Sequence, residues 1–331
     1  MSSILVTGGA GYIGSHIVRR LRDDGRSVVV LDDLSEGHRA AVGDAPLVVG
    51  DFADPELFDR TVATHAVDRV IHMAAWCQVG ESVEQPARYY DNNVRKSLDL
   101  LDGVRRNGIR GFVFSSTAAV YGEPDSVPID EDHPKRPTNP YGETKRVVER
   151  ALAAYADAYD MPYVALRYFN AAGAHPSGEL GEDHDPEPHL IPIVLRAARD
   201  GGAPVKMFGA DWPTPDGTCV RDYVHVVDLA DAHVRALDAI DRGEVRADAF
   251  NLGNGAGFSV REVVDVVRRV TGRPVEAVAA PRRPGDPATL VASAARARER
   301  LGWTPRYPDL ETIVETAWRW HRTRPRGWNE G

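Results

Sequence analysis

Residues 4–16 read "ILVTGGAGYIGSH", and the meaning of that stretch decides the fold. Ile4–Thr7 are strand-like, glycines follow at 8, 11 and 14, and the helical pattern "YIGSHIVRRLRDDG" begins at Tyr12. A strand that turns through glycines into a helix leaves the first helical N–H groups unpaired, and with the helix dipole they favour a phosphate. Gly8 permits the tight turn, Gly11 lets backbone approach a pyrophosphate, and Gly14 lets helix and sheet pack closely. Glycines alone would also suit an ordinary strand–helix turn. Asp32 decides between the two, because it ends the second strand about 20 residues on, where a carboxylate accepts from a ribose diol and repels a 2′-phosphate. The expected cofactor is NAD rather than NADP.

Outward from this loop the first half alternates short apolar runs with helical patterns. Strands are expected at Ile4–Thr7, Val28–Leu31, Leu47–Gly50, Val70–His72, Phe112–Ser115 and Tyr163–Arg167. Near-continuous apolar strands separated by helices predict a parallel sheet covered on both faces. Past residue 170 the stretches "HPSGELGEDHDPEPHLIP" and "GADWPTPDGTCVRD" read as long ordered loops, which often carry function. Helices are expected again at Val226–Ile240 and Ser259–Val270, the latter opened by a capping box of Ser259 and Glu262. The expected architecture is a Rossmann-type, doubly wound α/β domain over 1–170, with returning segments around 222–252. Residues 171–221 and 253–331 are expected to form a smaller, loop-rich substrate lobe.

With 331 residues and a formal charge of −9, the chain has material for a large core and no general affinity for nucleic acid or anionic membranes. Two cysteines, Cys77 and Cys219, make no disulfide framework. Neither a secretory signal nor an apolar run of membrane-spanning length is visible, and a cytoplasmic protein is expected.

A second motif carries the chemistry. "FVFSST" brings Ser115, Ser116 and Thr117 to the end of the fifth strand, where open α/β sheets place ligands. "NPYGETK" opens a helix about two dozen residues later, with Pro140 at a first helical position and Tyr141 and Lys145 on one face. Alone, that pair would be a helix start with a lysine over a ring. Hydroxyl, Tyr-x-x-x-Lys and the glycine loop together resemble the extended short-chain dehydrogenase/reductase family. The run from "HMAA", "GESV", "YYDNNV" and "LRYFN" to "GTCVRDYVHVVDLADAH" and "APRRPGD" is most similar to its UDP-hexose 4-epimerases.

The resemblance implies that Tyr141 is the acid/base, Thr117 shares its proton path, and Lys145 holds the nicotinamide ribose. An ammonium about 4 Å from a phenol is worth on the order of 4 kcal/mol at intermediate dielectric, and a positive nicotinamide ring adds to it, so the Tyr141 pKa is expected to fall by about three units from about 10. Cofactor contacts are implied for Gly8, Gly11, Tyr12, Ile13, Gly14, Asp32, Asp33, Asp51, Phe52, Met73, Ala74, Ala75, Asn92, Ser115 and Phe169. Around the UDP-sugar it implies Asn170, His189, Leu190, Lys206, Phe208, Arg221, Tyr223, Arg283 and Asp286. The expected partner is a UDP-sugar, and a homodimer is implied through helices near Asn92–Leu101 and Tyr141–Tyr155.

Two alanines, Ala118 and Ala119, stand where the related 4,6-dehydratases carry an Asp-Glu pair, so elimination is not expected. Cys77 occupies a position where such epimerases usually have a lysine that reaches the cofactor. Leu290 stands where residue size bears on N-acetylated sugars. Another UDP-sugar, a net NAD-linked oxidation and a non-catalytic NAD sensor remain the alternatives. "GEDHDPEPH" is read as a charged loop and not a metal site, since it holds two prolines and no known ligand spacing. His225, Asp228 and His233 are read as packing and hydrogen-bonding residues.

Overall fold

Strand β1 (Ser3–Thr7) is buried along its whole length, and so are β2 (Val28–Asp32) and β5 (Phe112–Thr117). With β3 (Leu47–Val49), β4 (Val67–His72) and β6 (Tyr163–Tyr168) they form the bulk of a seven-stranded parallel sheet. The structure, a computed structural model, describes residues 2–283 and 286–328. Helices α1 (Tyr12–Asp23), α2 (Pro55–His65), α3 (Val79–Glu84), α4 (Pro86–Tyr89), α5 (Lys96–Arg106) and α6 (Pro140–Tyr159) fall between these strands.

After β6 the chain runs through β7 (Asn170–Ala172), α7 (Leu190–Asp200), β8 (Val205–Phe208), β9 (Val220–Arg221) and β10 (Tyr223–His225). Helix α8 (Val226–Asp241) then carries it back to the sheet as β11 (Ala247–Leu252). The remainder comprises β12 (Phe258–Ser259), α9 (Val260–Thr271), β13 (Ala277–Ala280), β14 (Thr289–Leu290), α10 (Ala295–Leu301) and α11 (Leu310–Thr323).

The strand order is β11-β6-β5-β4-β1-β2-β3, so the winding reverses between β1 and β4. Alternation along β1 explains the two layers. Ile4 and Val6 join α1 and α8 in one core, while Leu5 turns to α2, α5 and α6 in the other. A third core gathers α7, α9 and α11 in the second half of the chain. The capping box of Ser259 and Glu262 is present at α9. β5 runs two residues beyond the expected Ser115, which makes Thr117 its last residue. Among the described residues no helix is long and apolar enough to cross a membrane.

Candidate active site

Ligands of a doubly wound sheet lie beyond the strand ends where the winding reverses. There, a cavity of about 1460 Å³ runs from the glycine loop to β14. Gly8 has φ +72°, and a Cβ on it would meet the Ala74 nitrogen at 2.5 Å, so the ends of β1 and β4 touch backbone to backbone. A Cβ at Gly14 would collide with the Gly8 carbonyl, which is how α1 comes to lie close on the loop. At Gly11 a Cβ would have only the Gly8 oxygen near it, at 3.5 Å. No side chain caps α1 there, so its positive end faces the cavity uncovered.

Asp32 is buried, its two oxygens accepting from the Ala10 N–H at 2.9 Å and the Leu34 N–H at 2.8 Å. It braces the loop as well as offering a carboxylate to the cavity. Uncapped helix end, open Gly11 and braced carboxylate together fit a dinucleotide. Tyr12, Ile13, Asp33, Phe52, Met73, Ala74, Ala75, Asn92, Ser115 and Phe169 also line the cavity. Asp51 does not: its carboxylate pairs with Lys96 at 2.6 Å and accepts from the Ala53 N–H.

Residues that sequence reasoning missed hold this wall in place. Tyr90–Arg95 is π-helical, and the extra residue per turn aims Asn92 at the cavity while Asn93 turns inward. Asn93 accepts from the Trp76 N–H at 3.0 Å and donates to the Trp76 carbonyl at 2.9 Å, clamping the segment that follows β4. His72 bridges Thr7 at 2.6 Å and Ser97 at 3.2 Å. No local pattern marks either residue; only their contacts do.

Thr117, Tyr141 and Lys145 meet at the cavity floor. Asn139 caps α6 by accepting from the Gly142 N–H at 2.9 Å, with Pro140 as its first residue. Tyr141, from the first turn of α6, and Thr117, from the end of β5, line that floor together. One turn on, Lys145 donates to the Ser115 carbonyl at 2.8 Å and lies over the Phe114 ring at 4.9 Å. The expected acidic shift of the phenol is not what the protein's own groups produce. Burial and then the Cys77 thiol beside it hold Tyr141 well above its usual range. Burial also lowers Lys145 from 10.5 to about 8, so the ammonium is itself costly here.

That cost fixes a pH dependence. Between pH 8 and 10.5 the folded chain binds fewer protons at Lys145 than the unfolded chain, so stability rises with pH across that window. Below pH 8 the full penalty is present. Lys145→Met is therefore expected to stabilise the cofactor-free chain at pH 7 by on the order of 1–3 kcal/mol, with the gain shrinking toward pH 10. Urea midpoints of the two proteins against pH check this, and an equal offset at every pH would refute it.

The second half supplies the far wall. Asn170 donates to the Asp222 carbonyl at 3.2 Å, pinning β7 beside β10, which carries Tyr223. Arg221 reaches Asp286 at 3.7 Å and donates to the Pro287 carbonyl at 2.9 Å. The Arg283 guanidinium stacks on Phe208 at 3.8 Å. With His189, Leu190 and Lys206 all of these except Asp222 line the cavity, as do Cys77 and Leu290. Pro284 and Gly285 of the "RRPGD" motif lie outside the described residues. His225, Asp228 and His233 stand apart from the cavity, bonded to Thr316, to the backbone of 306 and 307, and to the Leu229 carbonyl.

The loop before α7 differs from the solvated charged loop expected. Glu182 is 4% exposed, and Glu182, His184, Glu187 and His189 converge on the cavity wall with one ligand atom from each inside a 4.8 Å span. Despite its burial, Glu182 is held below the usual carboxylate range by His189 and His184, and the glutamates raise His184 to about 10. The signal lay in the alternation E-x-H-x-x-E-x-H, which the two prolines obscured.

A parallel, doubly wound sheet with an uncapped glycine-rich helix start, a ribose-type acid and a Thr–Tyr–Lys set fits a nicotinamide-dependent class of enzyme. The NAD dependent epimerase/dehydratase family matches residues 4–253, and the chain belongs to it. UDP-glucose 4-epimerase of Halalkalibacterium halodurans is 53% identical over 327 residues, covering 99% of this chain and 98% of that protein. A crystal structure of UDP-glucose 4-epimerase superposes with a TM-score of 0.97 at 49% identity, covering 99% of this chain and 100% of that one. The UDP-glucose 4-epimerase from Brucella ovis, solved in complex with NAD, gives a TM-score of 0.93 at 48% identity over 96% and 98% of the two chains. The chain is an NAD-dependent isomerase of the UDP-glucose 4-epimerase type.

Proposed function

We propose that the chain interconverts UDP-galactose and UDP-glucose in the cytoplasm, as a homodimer, by inverting C4 of the sugar. The observation that carries this reading is the meeting of Thr117, Tyr141 and Lys145 in one cavity with the glycine loop, next to Ala118 and Ala119. Hydroxyls beside a lysine suit proton transfer at an alcohol, and the alanines offer no group for eliminating water.

NAD, held by the helix end at Gly11–Gly14, Asp32 and Lys145, supplies reversible two-electron oxidation at C4 when bound. Tyr141 would accept the proton of the C4 hydroxyl as the alcohol becomes a ketone and return it when the alcohol re-forms. Thr117, at the end of β5, would orient the sugar oxygen toward the phenol. Arg221, at the end of β9, and Arg283, from the segment after β13, would grip the diphosphate with forked donors. The segments 171–221 and 253–328 would thus hold the nucleotide firmly. The sugar meets mostly small or apolar wall at Ala118, Ala119, Phe169 and Leu290, which leaves it free to present its other face.

UDP-galactose is incubated with the purified protein without added cofactor and followed by proton NMR. Conversion to UDP-glucose with no net NADH is the expected result. NADH released in proportion to substrate would instead mean a net oxidoreductase. Faster turnover of an N-acetylated, glucuronic or xylose substrate would reassign the sugar, with Leu290 as the first residue to change.

A further inference from the structure

We propose that Glu182, His184, Glu187 and His189 form a binding site for a divalent first-row cation, with zinc the best match. All four belong to the segment that leads from β7 into α7, where His189 precedes the first helical residue. Nitrogen and oxygen donors in a two-and-two set suit zinc. Two carboxylates also balance the ion's charge in a place where an unbalanced dication would be costly.

The spacing supports a shared ion. His189 Nδ1 lies 2.7 Å from Glu182 Oε1 and 3.0 Å from Glu187 Oε1. His184 Nδ1 lies 3.4 Å from Glu182 Oε1 and 3.7 Å from Glu187 Oε2. Four ligands about 2.0–2.1 Å from one zinc stand roughly 3.3 Å apart at the corners of a tetrahedron. These Glu–His distances, taken to either oxygen of Glu187, bracket that value, and all four donors lie within 4.8 Å of one another.

Ion pairing within the cluster serves only part of it. His189 Nδ1 bonds Glu187 Oε1 at 3.0 Å and pairs with Glu182 Oε1 at 2.7 Å, whereas His184 Nδ1 and Glu187 Oε2 are buried and have no hydrogen-bond partner. The glutamate side chains are only 4% and 2% exposed, so solvent does not serve them. Buried polar atoms left this way are costly, and all four donors lie within 4.8 Å of one another. Arg196 pairs with Glu187 Oε2 only at 3.8 Å.

The location gives the ion a structural task. Four protein ligands close the coordination sphere, as structural rather than hydrolytic zinc sites do. The His184 ring meets the Tyr12 ring edge-on at 6.3 Å, and the Tyr12 hydroxyl donates to the Gly173 carbonyl at 2.6 Å. An ion here would tie the segment from 173 to 189 into one piece against the start of α1.

The test uses the purified holoenzyme, dialysed against a chelator, returned to chelator-free buffer and titrated with zinc chloride against a competing dye. One equivalent per chain is expected, with Kd below about 1 μM and a rise of several degrees in the unfolding midpoint. Glu182→Gln with His184→Gln should weaken binding by about 100-fold or more. Cobalt(II) on the wild-type protein needs no variant; it should give the visible absorption of a tetrahedral nitrogen–oxygen site without a thiolate charge-transfer band. Absence of saturable zinc binding would overturn the proposal. So would binding unchanged in the double variant, or a thiolate band, which would move the ion to Cys77 or Cys219.

Discussion

Tyr141→Phe is expected to lower kcat for UDP-galactose by about 10²–10⁴-fold while UDP-sugar affinity changes little. The ring is buried against the cavity floor and phenylalanine fills the same volume, so only the hydroxyl is lost. A thousandfold loss corresponds to about 4 kcal/mol of transition-state stabilisation. Steady-state rates beside calorimetric titration with UDP-glucose separate the two quantities. Turnover within tenfold of wild type would remove the acid/base role from Tyr141. A fall in affinity parallel to the fall in rate would make the hydroxyl a binding group instead.

The second large effect lies behind the site. Arg167 is 5% exposed and grips Glu149 with two donors, at 2.8 and 2.6 Å. It also donates to the Tyr121 hydroxyl at 2.9 Å, while Glu149 accepts from Ser116 at 2.5 Å. Arg167→Met would strand the Glu149 carboxylate in the core. A loss of about 3–5 kcal/mol in unfolding free energy is expected at pH 7. Adding Glu149→Leu should recover most of it, since the stranded charge rather than the missing bond sets the penalty. Denaturant unfolding of the three variants decides this. A single variant within about 1 kcal/mol of wild type would show that Glu149 finds another partner or a proton. Since Ser116 precedes Thr117, Arg167→Met should also lower turnover at temperatures where it remains folded.

These two effects differ in how far the sequence announces them. Tyr141 is legible because its neighbours in the chain are its neighbours in space: proline, helix start and lysine fall within seven residues. The glycine loop is legible for the same reason, and so is the sheet, since burial on both faces leaves uninterrupted apolar runs. Arg167 and Glu149 are not, because a strand arginine and a helix glutamate each look like surface residues until the fold brings them together. Asn93 hides likewise, since its partner Trp76 lies 17 residues away and nothing beside it in the chain announces that contact. Glu182 and His184 were visible as residue types, but their convergence depends on how a proline-broken loop folds back. The upward shift that the protein's own groups give Tyr141 is hidden for a related reason. A neighbouring lysine can be read from spacing, whereas the cost of removing a phenol from water depends on everything that surrounds it.

Gly142 deserves a last consequence. A Cβ there would press on the Ala119 carbonyl, with the Ala119 carbonyl carbon at 2.9 Å, so the first turn of α6 rests directly on the chain just after Thr117. The backbones that carry Tyr141 and Thr117 are thus spaced by peptide on peptide rather than by side-chain packing. Substitutions elsewhere in the cavity can change which side chains line it while leaving that backbone spacing in place. The lining of the cavity and the spacing of these two segments are therefore set by different materials.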